Sequence, residues 1–246
     1  MKKLILGLVA ATALYSAELN IYTFTVKMDY NEYSTDGAFL DGDSSNFGDL
    51  NGLGLKYTYN DHYLEAEISY GKSKYEGSTW GGDKLYLTKD NVSIINAEGG
   101  IYVNRLNLFV GYRFWNRGKS DYIGDYDEQY YWPFIGVGMR NIYPYLDGEI
   151  STRLAFQYAI KPKLDAELGS GTTLDLGTTV GFKFQMDGKY DLGKNFYLTG
   201  FYRYQVWHIQ RSDVGYVTID NTKYSVVEPE SYTVNQYLSL GVLYKF

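Results

Sequence analysis

The stretch Tyr232-Thr-Val-Asn-Gln-Tyr-Leu-Ser-Leu-Gly-Val-Leu-Tyr-Lys-Phe246 decides the fold of this chain. Every second residue back from Phe246 is apolar, namely Tyr244, Val242, Leu240 and Leu238. Most of the residues between them are small or polar. Successive side chains of a β-strand point to opposite faces. The stretch therefore predicts a strand with one apolar face that ends in aromatic residues.

The same period of two recurs along the chain and predicts ten strands. They lie near 22–30, 53–59, 64–70, 95–103, 106–114, 130–141, 150–160, 174–186, 196–206 and 232–246. Short and long connections alternate between them, and no long apolar run follows Leu14. The predicted fold class is all-β: a single antiparallel up-and-down transmembrane β-barrel of ten strands. Eight strands remain the alternative if 95–103 and 130–141 are misread.

One face of each strand is expected to meet lipid. In the first strand that face is predicted to be Tyr22, Phe24, Val26, Met28 and Tyr30. In the eighth strand it is predicted to be Leu174, Leu176, Val180, Phe182 and Phe184.

Charged residues at the opposite parity are then predicted to line the lumen. They are Lys27, Glu65, Glu67, Glu98, Arg113, Arg153, Asp175, Lys183 and Arg203. A barrel of about eight strands is just filled by its own side chains, and ten strands lie near that limit. Because both signs of charge occur, we expect ion pairs across the lumen in preference to an open channel.

The pattern resembles the outer-membrane β-barrels of Gram-negative bacteria, whose closing strand ends in an aromatic residue. The 246 residues include 28 Tyr, 12 Phe and no Cys, and tyrosine favours the interface between bilayer and water. The resemblance implies that Tyr244 and Phe246 are the insertion signal read by the barrel-assembly machinery. It also implies a monomer in the cell outer membrane, in contact with lipid and lipopolysaccharide.

The start of the chain predicts a secretory signal peptide at 1–17 and a barrel at 18–246. Met1, Lys2 and Lys3 form a basic start, and an apolar run from Leu4 to Leu14 follows. The formal net charge of −6 argues against binding to nucleic acid, whose phosphates need a basic surface.

Ten strands and an aromatic end also resemble the omptin family of outer-membrane proteases. In that family, an Asp–Asp couple and an Asp–His couple hold the attacking water at the barrel mouth. Here His62 lies in a predicted inner turn, and His208 shares the outward parity of its strand. Asp125 and Asp127 have the spacing of a carboxylate couple but no evident partner. We therefore predict no catalytic residues.

Two acidic loops carry carboxylates of the kind that bind cations. The loop from Asp41 to Asp49 has Asn46 and Gly52 where a calcium-binding EF-hand loop needs Gly and Glu, so we interpret it as a solvated outer loop. A second acidic group, Asp121, Asp125, Asp127 and Glu128, could bind the divalent cations that bridge lipopolysaccharide phosphates. Neither is a motif, and no cofactor or protein-bound metal is predicted.

The predicted function is therefore non-enzymatic: a structural or surface-interaction role through the extracellular loops. A narrow pore for small solutes or ions is the alternative. An omptin-like protease is the second alternative.

Overall fold

The computed structural model of the chain describes residues 17–79 and 82–246. Apart from Ala17, the predicted signal peptide lies outside the described residues. The strands are β1 Ala17–Tyr33, β2 Phe39–Ser44, β3 Leu50–Tyr59, β4 His62–Ser78, β5 Lys84–Val103, β6 Leu106–Asn116, β7 Glu128–Tyr145, β8 Gly148–Ala159, β9 Lys163–Ala166, β10 Thr172–Asp175, β11 Thr179–Gly193, β12 Phe196–Ile209, β13 Gly215–Ile219, β14 Thr222–Val226 and β15 Glu230–Lys245. In this described part, no helix is long and apolar enough to span a bilayer.

Ten of these strands form a closed antiparallel ring, which confirms the predicted fold class. The order around the ring is β1, β3, β4, β5, β6, β7, β8, β11, β12 and β15. The ring closes where β15 pairs with β1, from Glu18 opposite Lys245 to Tyr33 opposite Glu230. Closure leaves no strand edge with unpaired backbone groups, which is the condition for a sheet in a bilayer.

The five remaining strands lie at the outer end of the ring, where the long connections are found. Strand β2 pairs with β1 and β4 above the end of β3. Strands β9 and β10 form a hairpin against β7, and β13 and β14 form a separate hairpin. The turns at the other end are short, so that end is the inner, periplasmic one.

The outer face of the ring carries an apolar band between two aromatic girdles. The band includes the exposed side chains of Leu53, Leu64, Ile68, Val110, Val137, Leu154, Phe156 and Leu240. The upper girdle includes Tyr70, Tyr112, Tyr158 and Tyr232, and the lower one includes Tyr143, Tyr145, Tyr190, Phe196 and Phe246. Tyrosine rings at these two levels suit the two interfaces of a bilayer.

The face predicted for β1 is wrong. Tyr22, Phe24, Val26, Met28 and Tyr30 are buried inside the barrel. Lys27 therefore points to the outside, where it pairs in register with Gln236 of β15.

Glycines on the neighbouring strand explain this inversion. A Cβ atom at Gly54 would lie 2.2 Å from Cε2 of Tyr22, and one at Gly52 would lie 2.4 Å from Cζ of Phe24. The glycines of β3 thus make room for rings inside the lumen. The apolar face of β1 therefore packs inside the barrel and does not contact lipid.

The start predicted for the eighth strand is also wrong. The barrel strand β11 begins at Thr179, and Leu174 and Asp175 belong to β10 in the outer hairpin. Asp175 is exposed and pairs with Lys163 at 3.3 Å, so it does not line the lumen. The sequence keeps its period of two from Leu174 through Gly177, which is why a continuous strand was expected there. In the structure Gly177 lies in a loop, where its backbone N–H donates to the carbonyl of Gln210. From Val180 onward the predicted faces match the structure.

Candidate functional site

A belt of buried ion pairs crosses the lumen at about mid-height. Arg203 on β12 donates from Nη1 to Oε2 of Glu67 at 2.6 Å and from Nη2 to Oε1 of Glu65 at 2.9 Å. Both glutamates are on β4, which is separated from β12 in the ring by β3, β1 and β15. These bonds therefore run from one side of the barrel to the other.

A second set of pairs meets at Glu98 on β5. Oε1 of Glu98 accepts from Nη1 of Arg153 at 2.9 Å and from the hydroxyl of Tyr63 at 2.7 Å. Its Oε2 accepts from Nζ of Lys183 on β11, which is separated from β5 by β6, β7 and β8. All three charged groups are buried, so each needs its partners to offset the loss of solvation.

Neutral groups complete the belt. The hydroxyl of Tyr22 lies 2.8 Å from Oε1 of both Glu65 and Glu67, and Nε of Arg203 donates to Gln185 at 2.8 Å. The space left among these side chains is about 20 Å³, which holds about one water molecule.

The predicted lumen residues thus fall into three groups. Glu65, Glu67, Glu98, Arg153, Lys183 and Arg203 lie together in the belt. Arg113 is buried inside but donates only to Asn96, at 3.0 Å, and its Nε and Nη2 have no partner among the described residues. Lys27 and Asp175 lie outside the lumen, as described above.

The two residues predicted as an insertion signal lie on the outer face at the inner end. The rings of Tyr244 and Phe246 have their centroids 4.9 Å apart. Their role in assembly stays a prediction.

An aromatic layer lies above the belt, toward the outer end. Trp115 stacks on Tyr130 with ring centroids 4.8 Å apart, and Tyr30 meets the edge of Trp115 at 4.9 Å. Trp132 and Trp207 pack against each other at 5.2 Å. These five side chains are fully buried and fill the lumen between the belt and the outer mouth.

Four carboxylates converge on Arg117 at the outer mouth, just beyond the end of β6. We call Arg117 and these four residues the Arg117 cluster. Nη1 of Arg117 donates to Glu32 at 2.7 Å and to Glu128, Nε donates to Asp43 at 2.6 Å, and Nη2 donates to Asp41 at 3.0 Å. One guanidinium thereby ties β1, β2 and β7 together.

Sequence reasoning missed the Arg117 cluster. Asp41 and Asp43 were predicted to lie in a solvated loop, whereas Asp43 is only 2% exposed. Their strand, β2, continues the sheet above β3, and no local pattern marks that pairing. A lone arginine one residue beyond a strand also has no signature of its own.

Glu228 lies next to this cluster, in the loop before β15. Its Oε1 accepts from the hydroxyls of Tyr30 at 2.8 Å and Tyr130 at 2.6 Å. Burial, together with the charge of Glu128, raises the pKa of Glu228 to about 8. Glu228 is therefore mostly protonated at neutral pH.

A cavity of about 670 Å³ opens over the Arg117 cluster, and we call it the outer cavity. Its charged lining residues are Glu32, Asp41, Lys89, Arg117, Asp125, Glu128 and Glu228. Its apolar lining includes Leu40, Leu85, Leu87, Val227 and Pro229. A smaller cavity of about 110 Å³ lies at the other end of the lumen, between Glu18, Lys56, Arg140 and Lys189.

The two histidines lie apart from the outer cavity. His208 is on the outer face of β12, where Nε2 is 2.6 Å from Oε1 of Glu230 and the ring stacks on Tyr232 at 4.5 Å. His62 begins β4 at the inner end.

Asp125 accepts from the backbone N–H and the hydroxyl of Ser120. Among residues 17–79 and 82–246, no three Asp, Glu, His or Cys side chains are arranged to hold a metal ion.

Comparison with known proteins gives the fold alone. No family model and no curated protein matches the sequence. The outer membrane protease OmpT from Escherichia coli is similar in structure, with a TM-score of 0.59 and 12% identity over 95% of this chain and 97% of that one. Neisserial surface protein A matches with a TM-score of 0.39 and 14% identity, over 93% of this chain and 97% of that one. OprG from Pseudomonas aeruginosa matches with a TM-score of 0.40 and 12% identity, over 94% and 96%.

The closed ring, the apolar band and the two girdles define the class of this protein. It is an integral β-barrel of the Gram-negative outer membrane, with ten strands in the ring.

Proposed function

We propose that this protein is a closed, non-enzymatic barrel that acts at the cell surface through its outer loops. The supporting observation is the succession of interior spaces. A cavity of about 670 Å³ at the outer mouth and one of about 110 Å³ at the inner end are separate, and the space among the side chains of the belt is only about 20 Å³. A solute larger than water would have to break buried ion pairs to pass, which favours a closed lumen over a narrow pore.

The placement of the histidines supports a non-enzymatic role. Water activation of the omptin type needs a histidine and carboxylates within hydrogen-bond reach of one water. His208 bonds to Glu230 on the outer face, and His62 lies at the inner end. The carboxylates Glu32, Asp41, Asp43 and Glu128 are bound instead to the guanidinium of Arg117.

The outer loops supply the surface for the proposed role. The β4–β5 hairpin extends to Ser78 and Lys84, well past the upper girdle at Tyr70. The β13–β14 hairpin exposes Tyr216 and Tyr224. Lipid and lipopolysaccharide around the apolar band remain the proposed partners of the barrel wall, which is proposed to be monomeric.

Two assays on the refolded full chain test this function. In a liposome-swelling assay with small sugars and amino acids, we expect rates equal to those of empty liposomes. With a mixture of fluorogenic peptides, we expect no cleavage in the presence of lipopolysaccharide. Swelling above the empty-liposome rate would favour the pore, and peptide cleavage that His208→Ala abolishes would favour the protease.

A further inference from the structure

We propose that the outer cavity binds a small zwitterionic molecule with an apolar body. Carboxylates of the cavity would hold its ammonium group, and Lys89 would hold its carboxylate or phosphate. This inference rests on the proposed surface role and names the class of ligand for it.

The outer cavity has the size and position of a small-molecule site. Its volume of about 670 Å³ falls within the range of about 300 to 1,000 Å³ that is usual for such sites. Its walls come from four parts of the chain: the start of β2 at Leu40, the β4–β5 hairpin, residues 122–126 and residues 227–229. The Arg117 cluster forms the floor and fixes the first and third of these walls.

Lys89 is the group that points to an anionic ligand. It lines the outer cavity but is only 3% exposed, and its Nζ lies 4.9 Å from the ring centroid of Tyr75. Among the described residues, this ammonium group has no ion pair and no hydrogen bond. A carboxylate or phosphate of the ligand would supply an acceptor for this ammonium group.

Two carboxylates point to a cationic group on the same ligand. Arg117 occupies Oε2 of Glu128, and the hydroxyls of Tyr30 and Tyr130 occupy Oε1 of Glu228. The second oxygen of each carboxylate accepts no hydrogen bond among the described residues. Glu128 supplies an acceptor for an ammonium group placed between them, and the positive charge of that group would lower the pKa of Glu228 and favour its ionised form as the second acceptor.

The charges that line the outer cavity are mostly negative and favour a positively charged group on the ligand. Five acidic side chains, of which Glu228 is mostly protonated, face two basic ones, and Arg117 is already saturated by the carboxylates of its cluster. Lys89 alone then faces the remaining negative charge. A zwitterion satisfies both Lys89 and the carboxylates, whereas a simple anion would be repelled by the carboxylates.

The apolar side chains of the outer cavity indicate that the body of the ligand is apolar. Leu85, Leu87 and Val227 are half-buried and line the cavity on the side of the β4–β5 hairpin and the last outer loop. An aliphatic or aromatic body of moderate size would cover them. Two sources carry this chemistry, namely apolar amino acids or short peptides and ethanolamine phospholipid fragments.

Isothermal titration calorimetry on the refolded full chain in detergent micelles tests the inference. The probes are phenylalanine and a hexanoyl lysophosphatidylethanolamine as zwitterions, phenylalaninamide as a cation and N-acetylphenylalanine as an anion. We expect at least one zwitterion to bind at least tenfold more tightly than either singly charged probe. Which zwitterion binds identifies the source.

Two variants and one control locate the site. Lys89→Met should weaken zwitterion binding at least tenfold and leave phenylalaninamide within twofold. Leu87→Trp, which keeps Lys89 but fills the cavity, should weaken all probes at least tenfold. Lys119→Met removes an equal charge from an exposed position in the adjoining loop and should change nothing.

Equal binding of all probes, no binding of either zwitterion, or unchanged binding in Lys89→Met would overturn the inference. None of these outcomes bears on the closure of the lumen. Conversely, a conducting barrel would refute the proposed function even if the outer cavity bound the zwitterion.

Discussion

Arg203 on β12 and Glu67 on β4 lie on opposite walls of the barrel, yet their Nη1 and Oε2 atoms are 2.6 Å apart. Both side chains are buried, and a second carboxylate, Glu65, lies 2.9 Å from Nη2. A guanidinium that spans the lumen in this way occupies the space through which a solute would pass. The contact therefore has two separate consequences, one for stability and one for permeability.

Arg203→Met should destabilise the barrel strongly. Removal of the guanidinium leaves Glu67 buried without a charged partner and leaves Glu65 with only Lys56, at 3.8 Å, which should cost about 3 to 5 kcal/mol. Equilibrium unfolding in guanidinium chloride, followed by tryptophan fluorescence in lipid vesicles, measures the change. Lys27→Met, on the outer face, is the matched control and should shift the free energy of unfolding by less than about 0.5 kcal/mol. Equal effects of the two substitutions would contradict the described belt.

Gly54→Ala should destabilise the barrel because it meets a ring that cannot move away. The new Cβ would lie 2.2 Å from Cε2 of Tyr22, whose hydroxyl is held between Glu65 and Glu67. Overpacking of this kind costs about 1 to 3 kcal/mol. At Gly99, on the outer face, the nearest atom to a new Cβ is Cδ1 of Leu64 at 3.5 Å, so Gly99→Ala should not destabilise. If Gly54→Ala were as stable as Gly99→Ala, the inward placement of Tyr22 would be wrong.

Arg117→Met should loosen the outer loops while the barrel stays folded. Without the guanidinium, Glu32, Asp41, Asp43 and Glu128 repel one another, and the strand β2 loses its tie to β7. We expect proteolytic cleavage in residues 34–49 and 118–127 to be at least tenfold faster. Heat-modifiable migration on gels should remain unchanged. Lys119→Met is the control, and cleavage at the same rate in both variants would contradict the role of the cluster.

The pH dependence of stability should carry the signature of Glu228. Because its pKa is raised from 4.5 to about 8 by burial, the folded state binds this proton more tightly than the unfolded state. Its contribution to stability is complete below pH 4.5 and is lost as the pH rises to about 8. Unfolding free energies of the native chain should fall more steeply over that window than those of Glu228→Gln, which stays neutral. Parallel pH profiles would show that Glu228 titrates normally.

The alternation along β12 and β15 predicted their faces because lipid and a polar lumen lie on opposite sides of those strands. The same rule failed at β1, since Tyr22 and Phe24 fill space that Gly52 and Gly54 leave inside. The inside of the barrel accepts aromatic residues as well as charged ones. The period of a single strand therefore shows that its two faces differ, but it does not show which face points inward.

The ion-pair partners that come from distant parts of the chain could not be predicted from the sequence either. The charges of the belt were predictable by parity, but the pairing of Arg203 with β4 depends on the order and stagger of the whole ring. The Arg117 cluster was not predictable for the same reason, because two of its carboxylates, Glu32 and Asp43, come from segments more than 70 residues away.

Single-channel recording in a planar bilayer tests the central claim most directly. The refolded native chain should give no steady openings above the baseline, because the belt leaves space for about one water molecule. The triple substitution Glu98→Gln, Arg153→Met and Lys183→Met, which removes both ion pairs of Glu98 without leaving a lone charge, serves as the comparison and should give small, flickering currents. Steady, large openings from the native chain would contradict a closed lumen and establish the barrel as a pore.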